Sequence, residues 1–204
     1  MKPNHKGTAQ VFKSPLLEKL SRTHIAVPIS IFILISIGLI TYGFIHGFIT
    51  VLSAIGLFFI GWFIFTFVEY MAHRYLFHMN TDTDIKKDIQ YKFHGVHHDY
   101  PKDKDRLAMP PFVSLFIASV FFFIFKLIFG QFVFGIVSGF LFGYALYLFV
   151  HYAVHAFAPP KNFLKTLWIN HSIHHYKDDN AAYGVSSPLW DYILGTMPTR
   201  NKTV

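Results

Sequence analysis

Four stretches of this sequence, 25–45, 47–68, 107–125 and 127–150, carry no charged residue. A bilayer core about 30 Å thick needs roughly 20 apolar residues in a helix, and each stretch is near that length. With 53% hydrophobic residues and 25 phenylalanines among 204, the composition is not that of a soluble domain. The expected fold is therefore all-α and integral to a membrane, with four transmembrane helices. The first run lacks a small-residue cleavage site and is too long for a signal-peptide core, so it is read as retained. There is no cysteine, which removes disulfides, iron–sulfur ligation, thiolate haem and catalytic thiols.

Charge sets the expected orientation. Lys and Arg concentrate in three blocks, 1–24, 74–106 and 161–202, whereas the connection at 45–48 is nearly chargeless and Lys126 stands alone at the other short turn. Basic loops stay on the cytoplasmic side, so both termini and all three blocks are expected there. The net charge of +7 then reflects topology and anionic lipid, not nucleic acid. Residues 1–24 read as a basic cytoplasmic segment, and 25–204 as one membrane domain with a cytoplasmic helical cap. Residues 201–204 carry no endoplasmic-reticulum retrieval signal, which favours a bacterial inner membrane over that organelle.

Ten of the thirteen histidines fall in four clusters: His73 with His78; His94, His97 and His98; His151 with His155; and His171, His174 and His175. Each cluster lies just after or between apolar runs, at the expected cytoplasmic ends of the second and fourth spans. On a helix, positions i, i+3 and i+4 share a face, so His94, His97 and His98 are expected to point together. Imidazole is the commonest metal-ligating side chain, and one ion cannot use so many, so the count argues for two ions. The five-residue gap from His73 to His78 turns about 140° around an α-helix; those two serve different ions or straddle a helix bend.

Flanking signals fill in the cap. Ile85, Ile89 and Phe93 are spaced as one face of an amphipathic helix from about Asp84 to His98, suited to the interface. Pro101 ends it, and Pro110 with Pro111 opens the third apolar run. A second such helix starts near Asn162, with Leu164, Leu167, His171, His174 and His175 on one face. Ser187, Pro188 and Gly195 frame a short capped helix. Gly135, Gly139 and Gly143 recur at the spacing that permits close helix approach.

The spacings also repeat. His78, His94, His97 and His98 are separated by 16, 3 and 1, and so are His155, His171, His174 and His175. At that offset of 77, Tyr70 falls on Tyr147 and Tyr75 on Tyr152. Two halves related by a pseudo-two-fold around a metal site are the expected architecture. Glu69, one turn before His73, and Asp99, beside His98, are candidates to orient a ligand's second nitrogen, as are Asn170 and Asp191. His5, His24 and His46 are isolated and carry no assigned role.

Several alternatives fall away on chemistry. Bis-imidazole haem needs single histidines on facing helices, not adjacent doublets. A cation transporter places polar ligands near the bilayer midplane, not at one end. With only Glu18 and Glu69 in the chain, ferritin-type carboxylate di-iron sites are excluded, and no His-Glu-x-x-His motif is present. Imidazole suits zinc, copper, iron and nickel alike; an all-imidazole pair at a lipid interface favours iron and O₂ chemistry on a membrane lipid. Because the site lies at head-group depth, the acyl carbons beside the carbonyl come closest to it.

The stretches EYMAHRYLFH at 69–78 and HGVHH at 94–98 continue through Tyr100, Pro101, Arg106, Leu107, Pro110 and Pro111. With Tyr147, HYAVH at 151–155, HSIHH at 171–175 and YGVSSPLWD at 183–191, they resemble the membrane-bound fatty acid hydroxylase superfamily, most closely the fatty acid 2-hydroxylases. The resemblance covers about 60–196. It implies a helical membrane fold with a cytosolic cap and a dimetal centre on those ten histidines, with iron for redox chemistry and zinc as a substitute in purified protein. It also implies O₂-dependent hydroxylation at carbon 2 of a long acyl chain, free or sphingolipid-linked. Many eukaryotic members carry a fused cytochrome b5 domain. Residues 1–24 are too few for one, so a separate donor, cytochrome b5-like or a ferredoxin with its reductase, is expected. The competing readings are a sterol or carotenoid hydroxylase or desaturase of the same superfamily and, from another class, a non-catalytic metal-binding membrane protein.

Overall fold

A computed structural model describes residues 3–199, and among them every regular element is helical. The helices are α1 (Pro15–Leu20), α2 (Ala26–Ile45), α3 (Val51–Ala72), α4 (Asp84–Gln90), α5 (Val96–Asp99), α6 (Pro111–Phe129), α7 (Val133–Ala156), α8 (Lys165–Tyr176) and α9 (Leu189–Ile193). Residues 201–204, on which the retrieval-signal expectation rests, lie outside the described part.

Three segments are long and apolar enough to cross a membrane: Ala26–Ile45, Val51–Phe77 and Lys104–Ala156. The third is 53 residues long and holds α6 and α7. Gly130, with φ +56, and a 3-10 turn at Gly130–Phe132 divide it. The break falls four residues beyond the expected one at Lys126. That lysine instead sits in the last turn of α6 with its ammonium 5.3 Å from the Phe134 ring centre. The two helices then fold back on each other: Phe121 and Phe125 both meet Phe140, with ring centres 5.0 and 5.4 Å apart.

α7 is the core of the bundle. It runs parallel to α3 at very short range, because glycines replace side chains along the seam. A methyl on Gly139 would overlap the Phe58 carbonyl, and one on Gly61 the Ile136 carbonyl. Gly135 faces Leu57 and Gly143 faces Phe65 in the same way. The glycine spacing in α7 thus marks a real contact, and Gly61, which sequence spacing did not single out, completes it from the other side. Against α2 the contact is antiparallel and includes a reciprocal pair. Ser36 donates to the Ser138 carbonyl and Ser138 to the Ser36 carbonyl, each at 2.8 Å, so neither hydroxyl is stranded in apolar surroundings. Phe32, Phe65, Phe125, Phe134 and Phe140 fill the interior. Outward-facing Leu34, Leu52 and Leu127 are 68, 82 and 87% exposed, apolar surface of the kind that lipid covers.

The short turns after α2 and α6 lie at one end of this bundle; the histidines lie at the other, under a cap built from both halves. As expected, a helical stretch runs from Asp84 to Asp99, with Ile85, Ile89 and Phe93 exposed, but a π turn at Tyr91–Gly95 interrupts it. Ser187 does not cap α9 from the expected position: the helix starts at Leu189, whose N–H donates to Ser187 Oγ at 3.2 Å. Gly195, with φ +71, follows the helix as anticipated.

The N-terminal segment is pinned to the cap. Arg106 donates to Ser21 Oγ, to the Ala9 carbonyl and to Glu18, and Asn4 N–H donates to the Asp99 carbonyl. Glu18 also accepts from Val11 and Phe12 N–H, contacts that hold its carboxyl below the usual range against the upward push of burial.

Candidate metal centre

The ten clustered histidines form two groups of five. His73, His78, His94, His98 and His174 make the first, and His97, His151, His155, His171 and His175 the second; within each, the nitrogens lie within 4.8 Å of one another. Adjacent histidines therefore do not all serve together. His94 and His98 face the first group while His97 faces the second, and His174 is likewise separated from His171 and His175. Each half lends its middle histidine to the other half's group. Adding 77 to His78, His94 and His98 gives His155, His171 and His175, and subtracting it from His174 gives His97. The sequence repeat is thus a repeat of the site.

Local backbone explains the one spacing that breaks the repeat. His73 and His78 are five apart yet belong to one group, with ring centres 5.1 Å apart. The chain from His73 to Phe77 is a π turn, and His78 N–H donates to the His73 carbonyl at 3.1 Å. The i→i+5 bond stacks residues five apart, as the ordinary α-helix does for His151 and His155, four apart on α7. Of the two possibilities the sequence left open, a distorted helix is the one realised.

Ring nitrogens converge within both groups. In the first, Nε2 of His94 lies 3.1 Å from Nε2 of His73 and 2.9 Å from that of His98, and His174 and His78 pair at 3.0 Å. In the second, His151 and His97 pair at 3.0 Å and His171 and His155 at 2.8 Å. Three rings are oriented from behind through Nδ1. His73 reaches the Tyr183 carbonyl at 2.6 Å, His174 the Ala181 carbonyl at 2.7 Å, and His151 the Leu107 carbonyl at 3.2 Å. Donation from Nδ1 leaves the Nε2 lone pair facing inward. His94 Nε2 can offer at most one proton to its two nitrogen neighbours, and His175 has neither ring nitrogen in a hydrogen bond. Such buried lone pairs at close range repel unless a cation lies among them. Two nitrogens each about 2.1 Å from an ion and at right angles are about 3.0 Å apart, close to the separations here. The donor sets fit two ions.

Burial keeps the rings in their ligating, neutral form. It pulls His78 down to about 3 and His98 to about 2, with His174 the next contributor in each case. His94, His97, His171 and His175 are lowered for the same reason, reinforced by their histidine neighbours.

The four candidates behind the ligands occupy different places. Glu69 does not meet a histidine: it accepts from Val185 and Ser186 N–H at 2.9 and 2.8 Å and from Ser186 Oγ. Asp191, fully buried, accepts from Tyr183 and Gly184 N–H at 2.8 Å each. Asp99 contacts the Tyr91 phenol. Asn170 is buried on α8 beside His171. The groups that do orient rings, the carbonyls of Leu107, Ala181 and Tyr183, leave no trace in side-chain identity. His46 lies at the opposite end of the bundle, stacked on Tyr42 with ring centres 3.9 Å apart.

An open cleft of about 660 Å³ lies beside the second group, reaching His155, His171 and His175 between walls that mix apolar Phe157, Trp168 and Ile173 with Lys102 and Lys177.

An apolar helical bundle capped by two interleaved five-histidine groups defines a class of membrane-type metal-site proteins. Residues 58–196 match the family model described as fatty acid hydroxylase. The chain is 37% identical over 205 residues to the ceramide very long chain fatty acid hydroxylase scs7 of Schizosaccharomyces pombe, covering 96% of this chain and 57% of that protein. It is 38% identical to the fatty acid 2-hydroxylase of Mus musculus, covering 70% of this chain and 40% of that one. A dihydroceramide fatty acyl 2-hydroxylase of Arabidopsis thaliana is 36% identical, over 68% of this chain and 59% of that one. The solved structure of full-length scs7p, in which only the hydroxylase domain is visible, superposes with a TM-score of 0.88 at 30% identity, over 97% of this chain and 75% of that one. The chain belongs to the fatty acid hydroxylase family. It spans between two fifths and three fifths of the length of these curated relatives. They come from a yeast, a mouse and a plant, so the expectation of a bacterial inner membrane gains no support from them.

Proposed function

We propose that this chain is a membrane lipid hydroxylase that inserts one oxygen atom from O₂ at carbon 2 of a long acyl chain, free or ceramide-linked. Its ten clustered histidines hold two ions, iron in the active protein and zinc where zinc replaces it on purification. The observation that carries this reading is the interleaving of two five-histidine groups at one end of an apolar bundle. A family of fatty acid hydroxylases that includes ceramide and fatty acid 2-hydroxylases supports the substrate class.

Two irons bound in these groups would supply the O₂ activation that a saturated C–H bond requires, with two electrons from a donor protein and two protons reducing the second oxygen atom to water. The chain's own contribution is positional. Burial holds the rings neutral, carbonyls at 107, 181 and 183 set three of them, and the open cleft of about 660 Å³ beside His155 and His175 gives an acyl segment a way to the second group. Domain 25–204 crosses the bilayer four times, α6 and α7 crossing separately, with the cap and both termini on the cytoplasmic face where the basic blocks lie. A lipid entering from the bilayer keeps its polar end at the interface, because burying an unpaired polar group costs several kcal/mol, roughly. The carbons beside the carbonyl then approach the histidines, and a near-attack position there favours carbon 2.

Lipid mass spectrometry of a host expressing the protein, with fragmentation to locate the oxygen, tests this. New 2-hydroxyacyl lipids are the expected result. Products oxidised at mid-chain, or only on a sterol or carotenoid ring, overturn it, and a lipidome unchanged with metal-loaded protein favours simple metal storage.

A further inference from the structure

Two of the three backbone carbonyls that orient the clustered histidines belong to one short loop. The Ala181 carbonyl takes the Nδ1 proton of His174 and the Tyr183 carbonyl that of His73, both in the first group. Between them, Ala182 has φ +58, a left-handed conformation that a residue with a Cβ adopts only at a cost. Backbone so strained persists only where surrounding structure imposes it. That structure is visible on both sides of the loop. Asp191 receives the N–H groups of Tyr183 and Gly184 and the Thr196 hydroxyl, and Glu69 receives those of Val185 and Ser186 and the Ser186 hydroxyl. Tyr70 OH and Thr196 Oγ1, 2.9 Å apart, fasten the same segment to α3. Room is tight: a methyl on Gly184 would overlap the Ser187 carbonyl and approach Asp191 Oδ2 at 2.8 Å. The second group has different support. His151 bonds to Leu107, next to Arg106 and its contacts with Glu18, Ser21 and Ala9.

We propose that Glu69 and Asp191 are positioning residues for the first histidine group alone, clamping the 181–187 loop so that its carbonyls aim His73 and His174. Neither carboxylate touches a ring; each acts through the backbone. The inference rests on the reading of the two groups as separate metal sites and assigns each of these acids to one of them.

Metal per chain, measured by elemental analysis of purified protein, provides the test. The unsubstituted protein holds two ions, and H73A and H151A hold about one each, which checks the underlying reading independently. E69A, which leaves two amides and a hydroxyl without their acceptor, and D191N, whose amide cannot accept from both Tyr183 and Gly184, are each expected to hold about one. Combining E69A with H73A removes nothing further, because both act on the first group, whereas E69A with H151A holds close to none. E69Q, whose amide oxygen still accepts both backbone N–H groups, retains two. If E69A fails to accumulate as folded protein, Gly184→Ala displaces the same loop without altering either acid and carries the same expectation. Two ions in both E69A and D191N overturn the proposal, as does loss of both ions when E69A joins H73A, or loss in E69Q matching that in E69A. An unsubstituted protein without two ions overturns the metal-site reading and this assignment with it.

Discussion

The imidazoles of His98 and His175 stack with ring centres 4.2 Å apart and planes inclined by 21°, although one belongs to each five-histidine group. They are partners under the 77-residue repeat, so this stack lies where the two halves of the site meet and where a pseudo-two-fold axis would pass. α3 and α7 correspond roughly under the same offset, and the glycine seam between them lets these helices approach and brings the histidine-bearing ends together. Helix packing and site geometry are therefore one arrangement: the seam sets how far apart the two groups stand.

The interleaving makes a prediction that sequence proximity would get wrong. His97→Ala combined with His175→Ala should remove one ion, because both face the second group. His97→Ala combined with His98→Ala, which changes neighbours in sequence, should remove both. Elemental analysis of the two double variants distinguishes them, with His46→Ala as a control expected to retain two. Equal metal content in the double variants would refute the assignment of His97.

The seam can be probed without touching a histidine. Gly139→Ala places a methyl against the Phe58 carbonyl, where backbone must move. Overpacking of this kind costs about 1–3 kcal/mol, and more where backbone and not a side chain must give way. Gly56→Ala, which meets nothing within 4 Å, should be neutral or slightly stabilising. Thermal unfolding in detergent would show a lower midpoint for the first and no fall for the second. Similar midpoints would mean the helices can separate at little cost.

Much of this was legible in the residues. The four uncharged runs marked the four long helices, and the 16, 3 and 1 spacing marked two related halves. The grouping was not legible, since i, i+3 and i+4 neighbours share a face of an α-helix only broadly; whether a face meets one ion or two depends on the helix opposite. His73 and His78 show the second limit. A π turn has no distinct residue signature, so a five-residue gap looked wrong for one site when a different hydrogen-bond register made it right. Glu69 and Asp191 show a third, since their carboxylates bond to backbone, which the sequence writes identically everywhere.

The π turn itself is testable. Deleting Leu76, an exposed residue within it, leaves His73 and His78 four apart, the spacing an α-helix needs. Metal content should stay at two ions, because the loop at 79–83 can absorb the shortening. Inserting one alanine between Val154 and His155 on α7 imposes the five-residue gap on a regular helix, and the second group should lose its ion. Loss in the deletion variant together with retention in the insertion variant would overturn this account of the spacing.

Removing the metal should expose a pH dependence whose sign is fixed by burial. In the metal-free protein burial, and after it the neighbouring His174, hold His78 down to about 3 and His98 down to about 2, both far below the usual imidazole range near 6.5. Between those values and about 6.5 the unfolded chain binds protons at these positions and the folded chain does not. Stability therefore rises with pH across this window and is lost as pH falls through it. Each such group contributes up to about 1.4 kcal/mol per pH unit. The midpoint of thermal unfolding of chelator-stripped protein should hold steady from pH 8 to 7 and then fall steeply towards pH 5. With both ions bound the fall should be displaced to lower pH, since ligation keeps the rings neutral until protons displace the metal. Replacing His78 and His98 together by alanine should make the metal-free profile shallower without flattening it, because His94, His97, His171 and His175 are lowered by burial as well. A stripped protein whose midpoint is constant or rises from pH 7 to 5 would show that these rings are not held neutral by burial.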